Sequence, residues 1–266
     1  MDMNFGKGVH LSYTRLEPHV KRTSKNQDCL GPYFEALYSV WGPQHWWPAR
    51  TPFEVIVGAY LTQNTSWKNV EVALRRLRAA GLLSLRGIRE VPLARLEAAV
   101  RPAGYFRQKA ARLKTFVAFV DRRYGGALKQ MFAQPTQRLR QELLALNGIG
   151  PETADSILLY AGQHPVFVVD AYTRRILERH GIAAANLPYE EVQSLCESGL
   201  AATPHTAPGR SNHPTAHRPS PMSRARRSPR AQVYNDMHGL IVNVGKHYCL
   251  KSKPHCEQCP LQRFLP

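Results

Sequence analysis

The chain has 266 residues, 43% of them hydrophobic, so it is long enough to bury one large core or two modest ones. Its 36 Lys and Arg outnumber its 19 Asp and Glu, and the net charge of +17 indicates a polyanionic partner, with nucleic acid ahead of an anionic membrane. No apolar run approaches the ~20 residues of a spanning helix, which argues against a membrane protein.

Helical apolar spacing dominates the chain from residue 32 to residue 181. Thr51, Pro52 and Glu54 form a capping box with proline at the first helical position, which predicts a helix through Leu61. Further helices are predicted over 67–80, 93–100, 108–123, 136–146, 152–161 and 172–179. Since no alternating pattern is long enough to build a sheet, the predicted fold class is all-α.

Two segments depart from this pattern. Residues 1–30 are polar and basic without apolar periodicity, which predicts a mobile leader. Residues 203–231 hold six prolines and six arginines but no acid, which predicts a disordered basic insertion, either genuine or the product of an error in the gene or its translation. Removing its six charges from +17 leaves +11, so the argument for a polyanionic partner does not depend on it. Helical spacing resumes near Tyr234 and continues to about Tyr248.

A glycine-rich corner joins two of the predicted helices. Residues 146–150 read Leu-Asn-Gly-Ile-Gly, the arrangement of a helix-hairpin-helix. Gly148 and Gly150 flank Ile149 and permit a tight turn whose backbone N–H groups can hold a phosphate; an ordinary helical corner is the alternative.

Twenty residues after Gly150, Asp170 precedes the helix over 172–179. It can cap that helix, and a carboxylate held beside a DNA-binding hairpin is also well placed to meet a sugar.

These features together resemble the endonuclease III-like branch of the helix-hairpin-helix DNA glycosylases. The resemblance spans roughly 32–260 and includes the hairpin, the following Thr153-Ala154, the run ending at Asp170, and the C-terminal cysteines. It implies two helical lobes with double-stranded DNA in the cleft between them. One is a six-helix lobe over 52–164, and the other combines 31–51 with 165–266.

The resemblance implies that Asp170 is the catalytic carboxylate, with Gly148, Ile149, Gly150 and Thr153 contacting DNA. A fixed anion near C1′ stabilises the positive charge that develops on the sugar as the N-glycosidic bond breaks. We expect a monomeric enzyme in the cytoplasm, associated with the nucleoid.

Glu152 is the main departure from the family pattern. Bifunctional members carry a lysine immediately before the Thr-Ala pair, where its amine forms a Schiff base with C1′. A carboxylate cannot form an imine, so the sequence predicts a monofunctional glycosylase with water as nucleophile. The alternatives are a bifunctional glycosylase/lyase acting on oxidised pyrimidines, and a non-catalytic DNA-binding module.

The four tryptophans fall within 27 residues. Trp46-Trp47-Pro48 and the Leu-Thr-Gln-Asn-Thr element over 61–65 resemble a bacterial 3-methyladenine DNA glycosylase subgroup, in which aromatic rings sandwich the extruded base. Trp47 and Trp67 are therefore expected to hold the base, with Trp46 and Pro48 beside them; core packing is the alternative. A methylated purine is cationic and gains roughly 0.5–2 kcal/mol from an aromatic face.

Two further pocket features follow from the same resemblance. Gln63 or Asn64 would fill the gap left by the flipped nucleotide, or one of them would merely cap the helix beginning near Trp67. His238 is expected to line the pocket, with a buried structural role as the alternative.

Cys249, Cys256 and Cys259 match three of the four ligands of the family's [4Fe–4S] pattern, and Leu265 stands at the fourth position. Three readings stay open: a cluster with a substitute ligand, a zinc ion completed by His247 or His255, or a vestigial site. In either metal case the loop between the first two cysteines would be fixed, presenting Lys251 and Lys253 to phosphates.

Overall fold

A computed structural model describes residues 30–204 and 217–266. The predicted mobile leader, apart from Leu30, and residues 205–216 of the predicted insertion lie outside the described residues. The described part is helical and contains no strand, which confirms the all-α class. Its helices are α1 (Leu30–Trp41), α2 (Pro52–Thr62), α3 (Trp67–Ala79), α4 (Leu85–Glu90), α5 (Leu93–Val100), α6 (Phe106–Tyr124), α7 (Leu128–Phe132), α8 (Thr136–Leu144), α9 (Pro151–Ser156), α10 (Ala171–Arg179), α11 (Tyr189–Gly199) and α12 (Pro229–His247).

Local capping explains where several helices begin. The Thr51 side chain accepts a hydrogen bond from the backbone N–H of Glu54 at 3.1 Å, and Pro52 occupies the first turn of α2, as the sequence predicted. Helix α9 begins at Pro151 after the hairpin glycines and continues as a π-helical turn over Ile157–Ala161. None of the described helices is long and apolar enough to cross a membrane.

Helix α2 lies at the centre of the core. All its residues from Phe53 to Leu61 are buried, and it packs on α3, α6 and α9. Helices α1 and α10 pack on α12 instead. Helix α12 also contacts the π-helical turn over Ile157–Ala161, so the candidate site forms where these two groups of helices meet. The lobe boundaries given above stay a prediction.

The prediction of a disordered insertion is wrong for residues 217–231. Met222 is 6% exposed, and its backbone N–H donates to the Ala49 carbonyl at 3.1 Å. Helix α12 begins at Pro229 rather than near Tyr234, because Ser228 accepts a hydrogen bond from the backbone N–H of Ala231 and proline suits the first helical turn. Proline density was therefore a poor guide to disorder here.

Candidate active site

Asp170 caps the N-terminus of α10, as its position in the sequence suggested. Its Oδ1 atom accepts hydrogen bonds from the backbone N–H and the hydroxyl of Thr173, at 2.7 and 2.9 Å. These two bonds fix the carboxylate and leave Oδ2 available for another partner. The side chain is 13% exposed, so it lies partly buried but within reach of solvent.

His238 stands beside the second carboxylate oxygen. Its Nε2 atom lies 3.6 Å from Oδ2 of Asp170, too far for a direct hydrogen bond, and has no hydrogen-bond partner in the described part of the chain. Its Nδ1 atom is 2.6 Å from the Tyr160 hydroxyl. Burial lowers the pKa of His238, although Asp170 opposes this shift. The structure thus brings the predicted pocket histidine to the predicted catalytic carboxylate.

Tyr160 was not recognised from the sequence, because it ends an apolar run that reads as ordinary core. Burial, and secondly the charge of Asp170, raise the pKa of its hydroxyl well above the usual value. The hydroxyl therefore keeps its proton and can donate it to Nδ1 of His238. The nearby Asp170 oxygen favours this arrangement, because it places the ring proton of a neutral His238 on Nε2, the atom that faces the carboxylate.

Three tryptophans form an aromatic cluster with Tyr160. Ring centroids are 5.4 Å apart for Trp46 and Trp47, and 5.2 Å apart for Trp47 and Trp67, in edge-on arrangements. Trp47 also lies 5.3 Å from Tyr160 and packs closely against Gly58, while Pro48 follows it at a half-buried position. Trp46 and Trp47 are buried in this state, so a base entering between the rings has to displace them.

The side chain of Lys246 is a further member of this cluster that the sequence did not reveal. Its Nζ atom lies 5.6 Å from the Trp46 ring centroid. Desolvation lowers the pKa of Lys246, and the carboxylates of Glu71 and Asp170 oppose that shift. Lys246 thus makes a cation–π contact with the Trp46 ring.

The hairpin has the tight turn that its glycines predicted. Gly148 has φ +83°, and a Cβ atom there would collide with the Arg112 side chain. Ile149 is buried, and its backbone N–H is bonded to the Leu146 carbonyl. Gly150 is exposed at the start of α9 and is better placed to meet a phosphate.

Gln63 and Asn64 have different environments. The Gln63 amide donates to the Gly148 carbonyl at 2.8 Å and to the Thr153 hydroxyl at 3.0 Å, so it ties the end of α2 to the hairpin. Asn64 is exposed, with φ +53°, at the tip of the loop that follows α2. Asn64 is thus the more accessible of the two for filling a gap in a DNA stack.

Glu152 lies in the first turn of α9. Its side chain reaches solvent, yet desolvation by the surrounding protein, with repulsion from Asp170, raises the pKa of Glu152 to about 7. The Arg174 guanidinium acts in the opposite direction. Glu152 is therefore neutral for part of the time at neutral pH.

The three C-terminal cysteines line one small cavity of about 20 Å³, together with His180 and Leu265. All three are free thiols, and Arg179 donates a hydrogen bond to the sulfur of Cys249 at 3.2 Å. Arg179 also holds the Leu250 and Lys251 carbonyls, so the loop bearing the exposed Lys251 and Lys253 is fixed without a metal ligand.

The cysteine cavity is the place where the sequence predicted a metal site. Among the described residues, no three His, Cys, Asp or Glu side chains lie close enough together to hold one metal ion, and this applies to the zinc and the cluster alternatives alike. Iron–sulfur clusters are held by cysteine thiolates, so Cys249, Cys256 and Cys259 are the residues that would hold one. Leu265 offers no ligand, whereas the His180 ring faces the same cavity, with Nδ1 held by the Tyr33 hydroxyl at 2.8 Å.

A family model described as "HhH-GPD superfamily base excision DNA repair protein" matches residues 57–202. The chain is 39% identical over 232 residues to MJ1434 of Methanocaldococcus jannaschii, whose name describes a DNA repair glycosylase; the match covers 87% of this chain and 93% of the relative. It is 22% identical over 216 residues to endonuclease III of Sulfolobus acidocaldarius, covering 81% and 82% of the two chains.

Two solved structures have a similar fold. The 3-methyladenine DNA glycosylase MagIII of H. pylori, bound to 1,N6-ethenoadenine, matches with a TM-score of 0.66 and 29% identity, over 81% of this chain and 96% of that one. A trapped endonuclease III–DNA covalent intermediate matches with a TM-score of 0.64 and 21% identity, over 88% and 92%.

Proposed function

The chain belongs to the HhH-GPD superfamily of base excision DNA repair proteins and is a DNA N-glycosylase, and we propose that it hydrolyses the glycosidic bond of alkylated purines without cleaving the strand. The observation that carries this proposal is the Asp170 carboxylate, fixed by Thr173 and adjacent to a tryptophan cluster.

The reaction requires the damaged nucleotide to leave the helix. Trp47 and Trp67 stack on the flipped base, and Asn64 enters the space that it leaves. Asp170 stabilises the positive charge on the sugar as the bond between C1′ and the base nitrogen breaks. A water oxygen bonds to C1′, its proton passes to the Asp170 carboxylate, and the base departs with the bonding electrons. A cationic methylated purine becomes neutral as it leaves, so it needs no acid.

The substrate class rests on the aromatic cluster. The tryptophan rings offer π faces that attract a cationic base, and the similarity to a 3-methyladenine glycosylase extends over most of the chain. Glu152 at the family's lysine position supports hydrolysis over Schiff-base chemistry.

The duplex would be held by the exposed Gly150 end of the hairpin and by Lys251 and Lys253. We propose that Cys249, Cys256 and Cys259 hold a [4Fe–4S] cluster, with His180 as the substitute for the missing fourth cysteine. When bound, such a cluster supplies a structural cross-link and local charge rather than a step of the reaction.

A base-release assay tests the proposal directly. Duplex DNA treated with a methylating agent should yield free methylated purine, identified by chromatography, and an intact strand bearing abasic sites. Borohydride should trap no covalent adduct with the wild-type protein. Glu152→Lys, which restores an amine at that position, is the matched control and should become trappable. Release of oxidised pyrimidines with adduct formation by the wild type would favour the bifunctional alternative.

A further inference from the structure

The segment 217–228, which we call the basic strap, lies against the backbone of the tryptophan segment. His217 donates its backbone N–H to the Gln44 carbonyl at 3.3 Å, and the Ser220 hydroxyl donates to the Trp47 carbonyl at 3.3 Å. The His217 ring lies 5.3 Å from Trp46. With the buried Met222, these contacts hold the strap beside the base pocket over a sequence separation of more than 160 residues.

Arg227 anchors the other end of the strap. Its guanidinium donates to Gln163 at 2.5 Å, to Gln232 at 3.1 Å and to the Met222 carbonyl at 2.8 Å. Desolvation lowers the pKa of Arg227. Because its guanidinium makes these internal hydrogen bonds, Arg227 holds the backbone of the strap in place and is not available to bind a partner.

The remaining arginines of the strap have the opposite character. Arg218, Arg224 and Arg226 are exposed, and no salt bridge joins any of them to a carboxylate of the described residues. Burial, and secondly the charge of Arg224, lower the pKa of His45, the neighbour of Trp46, which places Arg224 near the tryptophan segment. Three uncompensated positive charges are therefore displayed on a fixed backbone at the edge of the pocket.

We propose that the basic strap is a DNA-binding element in which Arg218, Arg224 and Arg226 contact the backbone phosphates next to the flipped nucleotide. This inference rests on the proposed function, since it takes the tryptophan cluster as the base pocket. Guanidinium groups suit phosphates because their planar donors can bind two oxygens at once. Because the strap is anchored, binding orders only the arginine side chains and not the backbone as well. The strap lies outside the residues matched by the family model.

The test compares two triple variants of the full chain. In the strap variant Arg218, Arg224 and Arg226 are changed to alanine. In the control, three exposed arginines on α4, α5 and α6 are changed instead: Arg86, Arg95 and Arg122. Both remove three positive charges. Affinity for a lesion-bearing duplex is measured from 50 to 200 mM salt, and single-turnover base release is measured at saturating protein.

A plot of log affinity against log salt has a negative slope, to which each phosphate contact contributes about 0.9. In the strap variant this slope should be shallower by about 2.7, whereas the control should keep the wild-type slope. Affinity at moderate salt should fall on the order of tenfold to a hundredfold. Replacing the three arginines with lysine should preserve most of the slope. Base release at saturating protein should fall less than the affinity does, because the three arginines hold the DNA backbone whereas Asp170 acts at the sugar.

An unchanged slope in the strap variant, or an equal loss in the control, would overturn the proposal. A further outcome is that the wild type releases no base while the strap variant still shows the reduced salt dependence of DNA affinity. In that case the proposed function fails and the assignment of the strap as a DNA-binding element stands. The two conclusions are thereby separated.

Discussion

His238 points its Nε2 atom at Oδ2 of Asp170 across 3.6 Å, with its other ring nitrogen held by Tyr160. Since burial keeps the ring neutral, the Nε2 proton is directed at the one carboxylate oxygen that Thr173 leaves free. A small closure of the cleft on DNA would bring the two atoms into hydrogen-bond distance. We therefore propose that His238 positions the carboxylate to which we assign the contact with the sugar.

Asp170→Asn should abolish most base release without weakening DNA binding. An amide keeps the shape of the side chain but cannot stabilise the positive sugar, so single-turnover rates should fall by about 10²- to 10³-fold. Affinity for a lesion duplex should stay equal or rise, since one negative charge facing DNA is lost. Full activity in this variant would contradict the role given to Asp170.

His238→Ala should slow base release on the order of tenfold while the lesion duplex binds normally. Because burial lowers the pKa of His238, the wild-type ring stays neutral to below its usual titration range. Protonation at low pH places a positive charge beside the developing sugar cation and should reduce the rate. In the alanine variant, the rate of base release should no longer decline at low pH. A histidine with only a structural role would leave that pH dependence unchanged. Tyr160→Phe serves as the control that keeps the imidazole but frees Nδ1.

Glu152→Gln should change DNA affinity in a pH-dependent way. With a pKa raised to about 7, Glu152 is mostly neutral at pH 6 and mostly ionised at pH 8. Ionisation adds a negative charge beside the hairpin and repels phosphates, so wild-type affinity should decline over this interval. The variant should bind like wild type at pH 6 and about three- to tenfold tighter at pH 8, as expected for roughly 1 kcal/mol from one accessible charge. Equal ratios at both pH values would show that Glu152 does not face the DNA.

His180→Ala should lower the iron and sulfide content of protein purified without oxygen, together with its visible cluster absorption. His255→Ala is the matched control, because His255 is exposed and outside the wall of the cysteine cavity. A three-iron cluster in the His180 variant, seen by electron paramagnetic resonance, would be the clearest sign of a lost fourth ligand. Equal iron in wild type, the His180 variant and Cys249→Ala would refute the cluster proposal.

Asp155→Ala should destabilise the fold by about 3–5 kcal/mol, the usual cost of leaving one partner of a buried ion pair alone. Asp155 is fully buried and accepts two hydrogen bonds from Arg140, at 2.7 and 3.1 Å, and one from Gln193 at 2.8 Å. These bonds tie α9 to α8 and α11. Arg86→Ala, which breaks an exposed pair with Glu90, should cost less than about 0.5 kcal/mol. Thermal and denaturant unfolding measure both.

The sequence by itself determined the features that depend on neighbours a few residues apart. Examples are the capping box at Thr51, the glycine turn at Gly148 and the N-cap role of Asp170. Each depends on local hydrogen bonds or on backbone freedom, and these are set by residues only a few positions apart in the sequence. Local patterns were incomplete elsewhere. Helices α4, α7 and α11 were not predicted, and the prolines before α12 concealed both an ordered strap and a helix start at Pro229.

Only the tertiary structure decided which distant groups meet. Tyr160 and His238 are 78 residues apart in sequence, and Ser220 and Trp47 are 173 apart. His180 reaches the cysteine cavity from the end of another helix. No spacing rule predicts such pairs, because they depend on how whole helices cross and pack. The N-cap position of Asp170 could therefore be predicted from the chain, whereas the approach of His238 to Asp170 and the ordered course of the basic strap depend on the packing of the folded core.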